Sequence, residues 1–384
     1  MPSRVYLDWN ATAPLRGEAR EAMTAAFDVV GNPSSVHAEG RAARRLVEDA
    51  RAAVAEATGS EPRNVVFTSG GTEANALALM PGLRRGNGPP LRRLLVSAVE
   101  HPSVLAGGGF APEAITLIPV GPSGVVDLAA LRMLLAEGPA LVSVMAANNE
   151  TGALQPIAEI AALVHEGQSA LHVDAVQAFG KINCDINSLH CDLLTVSSHK
   201  IGGPKGVGAL VLSEGIVPGT ALIRGGGQER GRRAGTENVV GIAGFGAAVA
   251  ATMRTMASDV AGMRQSHAQL EAGLKTVPGT VIFAESEPRL PNTTLFAAPG
   301  VKAETAVIGF DLEGIAVSSG AACSSGKVQP SHVLVAMGAA PDLVAGAVRL
   351  SLGRTTTREE AERCVAVWKK LAKTLSRQVD SAVG

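Results

Sequence analysis

Short apolar runs alternate with segments of helical period along much of the chain. Residues 65–68, 93–97, 114–119, 140–146, 170–173, 193–197 and 208–212 each predict a strand. Helices are expected over 72–80, from about Pro102, over 127–137 with Asp127 as the cap, and over 156–166. Strands that alternate with helices imply an α/β fold with a mostly parallel sheet between helices.

The rhythm changes after Thr236. A long helical region is expected over 237–276, broken near Ser258. Short strands over 280–283 and 293–296, a helix over 303–312, a further strand and a terminal helix over about 357–378 predict a smaller α+β domain. The expected division is a large domain of residues 14–257 and a small one of residues 1–13 with 258–384. No internal repeat is evident.

Composition narrows the function classes. The chain has 384 residues, of which 46% are hydrophobic and 18% charged, enough for a large core. A formal net charge of -1 and 3% aromatics argue against a nucleic-acid binder. The opening MPSRVYLDWNATAPL has no apolar signal core. The apolar run 239–253 contains three glycines and predicts a buried helix rather than a membrane span. Cys184, Cys191, Cys323 and Cys364 form no CxxC pair, and reduced thiols in a cytoplasm are expected. Cys184, His190 and Cys191 match no usual zinc spacing, and no metal is expected.

Three stretches carry candidate chemistry. Ser69-Gly70-Gly71-Thr72-Glu73-Ala74-Asn75 follows a strand and opens a helix, where free N–H groups and a threonine hydroxyl can hold an anion, or where glycine and threonine only shape a turn. Asp174 stands at the end of an apolar strand, the ligand-bearing edge of an open α/β sheet, and can serve a cationic partner or cap a turn. Lys200, in SSHKIGGPKG, ends the next apolar strand ahead of a glycine turn, while Lys205 behind Pro204 is expected to face solvent. A phosphate cradle, a strand-end aspartate and a strand-end lysine, in that order, suggest a pyridoxal phosphate site with Lys200 as the Schiff-base amine.

With those motifs in view, the chain resembles the class I cysteine desulfurases of the NifS/IscS type, within the fold-type I pyridoxal phosphate enzymes. The resemblance runs through Tyr6-Leu7-Asp8, Asn10 to Ala13, Asn32 to Ser35, Gly71 to Asn75, Glu100-His101, Asn148 to Gly152, the Asp174 and Lys200 segments, Gly235 to Asn238, Ser318 to Gly326 and Arg349 to Arg354. It implies a pyridoxal 5'-phosphate cofactor bound by Gly71, Thr72, His101, Asp174, Gln177, Ser197, His199 and Lys200. Asp174 would pair with the ring nitrogen, Gln177 with the phenolic oxygen, and His101 would stack on the ring and shuttle protons. Thr72, Ser197 and His199 would meet the phosphate, and Thr236 would reach the phosphate of a partner subunit, implying a homodimer with shared sites. Asn149 and Arg349 would hold the carboxylate of L-cysteine.

Cys323 separates this reading from its rivals. It lies in Ser318-Ser319-Gly320-Ala321-Ala322-Cys323-Ser324-Ser325-Gly326, among small residues that let a thiol travel. A desulfurase needs such a thiol to take sulfur from cysteine, releasing L-alanine and carrying a persulfide for a sulfur-acceptor or scaffold protein, as in iron–sulfur assembly. An aminotransferase of the same fold has no use for it. A selenocysteine lyase shares the cofactor and would prefer selenocysteine, and an idle scaffold would have no need of the residues kept here. Two departures stand out: the chain stops about thirty residues beyond Arg354, and Ala321 stands where relatives often have serine.

Overall fold

The computed structural model describes residues 4–320 and 330–383, with side chains as far as Leu375. Cys323 and its neighbours Ser324 to Gly326 therefore lie outside the described residues.

A seven-stranded sheet carries the site. Its order across the sheet is Val65–Thr68, Gly208–Leu212, Leu193–Ser197, Ala170–Asp174, Leu141–Met145, Leu94–Ser97 and Ile115–Ile118. The last five run parallel, and Gly208–Leu212 runs against both of its neighbours. Most of these strands are buried throughout, which is why they read as unbroken apolar runs rather than as alternating ones. The observed strands lie within a residue of the expected bounds. The helix expected from Pro102 is a single turn, Pro102–Leu105. Lys205 is exposed, as expected.

Two N-terminal helices, Gly17–Phe27 and Ala38–Ala57, pack against the long helix Val239–Lys275. Ala43, Val47, Ala50 and Val54 recur at helical spacing and are buried, the last three in the core with Phe245 and Val249. The break expected near Ser258 is absent, and the helix is continuous. Its polar side chains there are satisfied locally: Ser258 Oγ donates to the Thr255 carbonyl at 2.9 Å, and Thr255 Oγ1 to Asp259 Oδ2 at 2.7 Å. Arg16 reaches Asp259 from the N-terminal segment at 3.2 Å. Val239–Lys275 is also the single helix among the described residues apolar and long enough to cross a membrane, and its apolar half is largely buried in the core.

A second, antiparallel sheet is ordered Val281–Ile282, Thr293–Ala297, Val348–Ser351, Ser318–Ser319. Its core holds Trp368, edge-on to Phe296 at 4.8 Å, together with Leu270 and Leu274 from the far end of the long helix. The chain's start joins this part: Val5–Tyr6 pairs in parallel with Ile315–Ala316, and Asp8 bridges to Ser351.

Candidate active site

A cavity of about 290 Å³ opens at the C-terminal ends of the parallel strands, where ligands sit in open α/β sheets. Of the residues expected to form a site, Gly71, Thr72, His101, Asn149, Asp174, Gln177, Ser197, His199, Lys200 and Arg349 all line it. Thr236 is exposed and is not among the lining residues. Cys323 lies outside the described residues.

Each side chain is placed by its element. Asp174 ends its strand at 5% exposure. Its Oδ1 accepts the Val176 N–H at 2.9 Å and its Oδ2 accepts Asn75 Nδ2 at 2.8 Å. The same Asn75 amide donates to Ser103 Oγ at 2.9 Å, and Ser103 Oγ stands 2.8 Å from His101 Nδ1. Because the Ser103 N–H also donates to Nδ1, that nitrogen is the acceptor, and Nε2 carries the proton of the neutral ring. Burial lowers the His101 pKa first; Asp174 opposes this, while Lys200 and His332 add to it. A neutral imidazole can take a proton and return it.

Lys200 closes the turn Ser198–Lys200 directly after its strand. The glycines after it have steric reasons. Gly202 has φ 84°, and a β-carbon there would stand 2.8 Å from Arg16 Cγ and 3.0 Å from the Pro14 carbonyl oxygen. The turn therefore fits closely under the N-terminal segment, and Lys200 Nζ donates to the Asn10 and Ala11 carbonyls at 2.5 and 3.0 Å. His199 Nδ1 shares a hydrogen bond of 2.7 Å with Thr12 Oγ1. Burial, then Lys200 and Lys205, push its pKa down to about 4, so the ring is neutral.

Gly71 starts the helix Gly71–Ala78, and a β-carbon on it would meet Val176 Cγ2 at 2.9 Å. Ser197 Oγ and Gln177 Oε1 are buried and meet no partner among the described residues. Gln177 Nε2 donates to the Asn10 carbonyl at 2.9 Å, so the amide presents its acceptor end, the reverse of what a phenolic oxygen partner would need. Arg349 arrives from the second sheet and donates to the Asn149 carbonyl at 3.1 Å and to Asp8 Oδ1 at 2.9 Å.

Sequence reading missed Asn10, Asn75 and Ser103 as contributors. Asn10 and Asn75 stand inside recognisable motifs, but their roles arise from contacts between distant segments. Asn10 also donates to Thr293 Oγ1, 283 positions away. His172, beside Asp174 on the same strand, is a core residue: both ring nitrogens are bonded, to Ser143 Oγ and Thr195 Oγ1, and burial brings its pKa to about 4.

Comparison with known proteins agrees with this geometry. The model of the aminotransferase class-V family matches residues 5–364. A cysteine desulfurase of Cereibacter sphaeroides is 44% identical over 371 residues, covering 95% of this chain and 94% of its own length. The cysteine desulfurase IscS of Dictyoglomus turgidum is 38% identical, covering 98% and 96%. The solved structure of a NifS-like protein from Rickettsia africae superposes with a TM-score of 0.87 at 37% identity, covering 96% of this chain and 99% of that one. The two-sheet architecture is thus that of fold-type I enzymes, and the chain belongs to the aminotransferase class-V family, among its NifS/IscS-type cysteine desulfurases.

Proposed function

We infer that this protein is a pyridoxal 5'-phosphate-dependent cysteine desulfurase, which converts L-cysteine to L-alanine and leaves the sulfur as a persulfide on Cys323. The observation that carries the reading is the convergence of Lys200, Asp174 and the Gly71-Thr72 helix start on one cavity, with Arg349 on its wall.

The residues fit the cofactor. The orphaned hydroxyl of Ser197 lies beside Gly71 in the cavity wall, where a phosphate oxygen would accept its proton together with those of the first helical N–H groups. Asp174 offers a buried carboxylate to a protonated ring nitrogen. Bound there, the pyridine ring would act as the electron sink for a carbanion at the substrate's α-carbon. Lys200 would hold the cofactor and then carry the proton to and from that carbon. Arg349, with Asn149, would fix the substrate carboxylate. His101 would cover the ring and exchange protons through Nε2, its Nδ1 being committed to Ser103.

At Cys323 the thiolate attacks the substrate sulfur. The S–S bond forms as the carbon–sulfur bond breaks, and the electron pair remains with the carbon. The proton given up by the thiol balances the one gained at Cβ, so the net products are alanine and one enzyme persulfide.

The same reading makes the protein a cytoplasmic homodimer in which Thr236 completes the partner's site, and makes a sulfur-acceptor protein the next recipient. Its two lobes, residues 14–257 and residues 1–13 with 258–384, share the unbroken helix Val239–Lys275. The test is spectral and chemical. The holoprotein should show the visible band of an imine, which Lys200→Ala loses and Cys323→Ser keeps. Alanine formation from L-cysteine should drop by about a thousandfold or more in both. Alanine formed by Cys323→Ser at the wild-type rate would refute the desulfurase assignment.

A further inference from the structure

Arg349, read above as the substrate anchor, is already partly engaged. Nη2 donates to Asp8 Oδ1 at 2.9 Å and Nη1 to the Asn149 carbonyl at 3.1 Å, whereas the buried Nε meets no acceptor among the described residues. Asp8 does not line the cavity. It reaches the guanidinium from the N-terminal strip, whose backbone at Asp8 bridges to Ser351, two positions along from Arg349. The arginine side chain is 3% exposed and the aspartate 21%. Glu150, another carboxyl in the field of this arginine, is bonded instead by Ser331 Oγ.

We propose that Asp8 sets the affinity of the site: its carboxylate takes one corner of the Arg349 fork and weakens the grip on the carboxylate that substrate and product share. The inference rests on the reading of Arg349 as the carboxylate anchor. A buried guanidinium with no standing counter-charge would hold any amino-acid carboxylate tightly. L-Cysteine and L-alanine carry the same carboxylate, so that strength would act on both alike. Binding of this uniform kind lowers KM without lowering the chemical barrier, and it retards release of product. Asp8 engages the fork at one point only, through Oδ1. Nη1 and Nη2 each keep a second N–H that Asp8 does not take, and the partial exposure of Asp8 lets water stabilise its second oxygen. Asp8 is thus a positioning and affinity-setting residue that acts through Arg349.

Asp8→Asn keeps the shape and an acceptor while removing the charge, and Asp8→Ser is a second variant with a smaller side chain. Calorimetry of holoenzyme with propionate, a carboxylate without amine or sulfur, isolates the contact in question. Both variants are expected to bind propionate about tenfold more tightly than wild type, with KM for L-cysteine falling by a similar factor, equivalent to about 1.4 kcal/mol. Propionate binding that is unchanged or weaker in both variants overturns the proposal. Arg349→Gln separates the two layers. If it abolishes propionate binding while the Asp8 variants bind as wild type, Asp8 alone is misassigned. If it binds propionate as wild type does, the anchor reading has failed.

Discussion

Glu150 shows how a single buried carboxyl can make this molecule sensitive to pH. It is 2% exposed and accepts the Ser331 hydroxyl at 2.5 Å. Burial lifts its pKa from the ordinary 4.5 to about 7, against the pull of Ser331 and Arg349 in the other direction. Between those two values the folded chain binds more protons at this position than the unfolded one. Its contribution to stability is therefore full below the ordinary carboxyl pKa, declines as pH rises through about 7, and is flat above that. Glu150→Gln keeps an acceptor for Ser331 and removes the titration. In urea unfolding, the variant should gain on wild type between pH 5 and pH 8 by on the order of 2 kcal/mol. An equal difference between the two proteins at both pH values would show that Glu150 does not titrate in that window.

At the scale of elements, the turn before Gly71–Ala78 depends on a missing side chain. A β-carbon at Gly71 would stand 2.9 Å from Val176 Cγ2 and 3.5 Å from Ser197 Cβ, on the wall where the phosphate is proposed to sit. Gly71→Val must push the first helical turn away from both neighbours. We expect its dissociation constant for pyridoxal phosphate, read by fluorescence titration of the cofactor-stripped protein, to rise by about tenfold or more. Unchanged affinity would mean that the turn does not hold the phosphate. Elements of this kind were legible in the sequence because buried parallel strands are continuous apolar runs, and because glycine after a strand end has few structural uses. Lys200 and Asp174 could be picked out for the same reason, since each follows such a run, whereas His101 is singled out by the family resemblance. The Asn75–Ser103 link between Asp174 and His101 could not: Asn75 stands inside a motif, but the link exists only once the helix starts Gly71–Ala78 and Pro102–Leu105 meet. The long helix misled for a related reason. The polar cluster Thr255, Ser258 and Asp259 reads as a break, yet its hydrogen bonds are made within the helix and to Arg16, a partner invisible to local pattern.

Across the whole molecule, the segment 228–236 is bolted down in a way that its sequence does not suggest. Arg51 makes two bonds to Glu229, at 2.7 and 2.9 Å, and the Phe67 N–H adds a third at 3.0 Å, with both side chains almost fully buried. This clamp holds Glu229 and Arg230 at φ 45° and 56°, a left-handed conformation that costs about 1 kcal/mol or more per non-glycine residue. Further along, Arg233 grips Glu73 on the cofactor-side helix at 2.8 Å. Thr236, just beyond, is exposed and outside its own cavity. A segment held this firmly while its end faces outward suits delivery of Thr236 to a second subunit, and mixed dimers can test that. A heterodimer of a Lys200→Ala subunit and a Thr236→Asp subunit would, under sharing, contain one intact site: Lys200 from the second subunit with Thr236 from the first. Purified through two different tags, it should recover about half of the wild-type alanine production, although each parent homodimer is impaired. If Thr236 serves its own subunit instead, the heterodimer can reach no more than half the activity of the Thr236→Asp homodimer, and the shared-site arrangement is rejected.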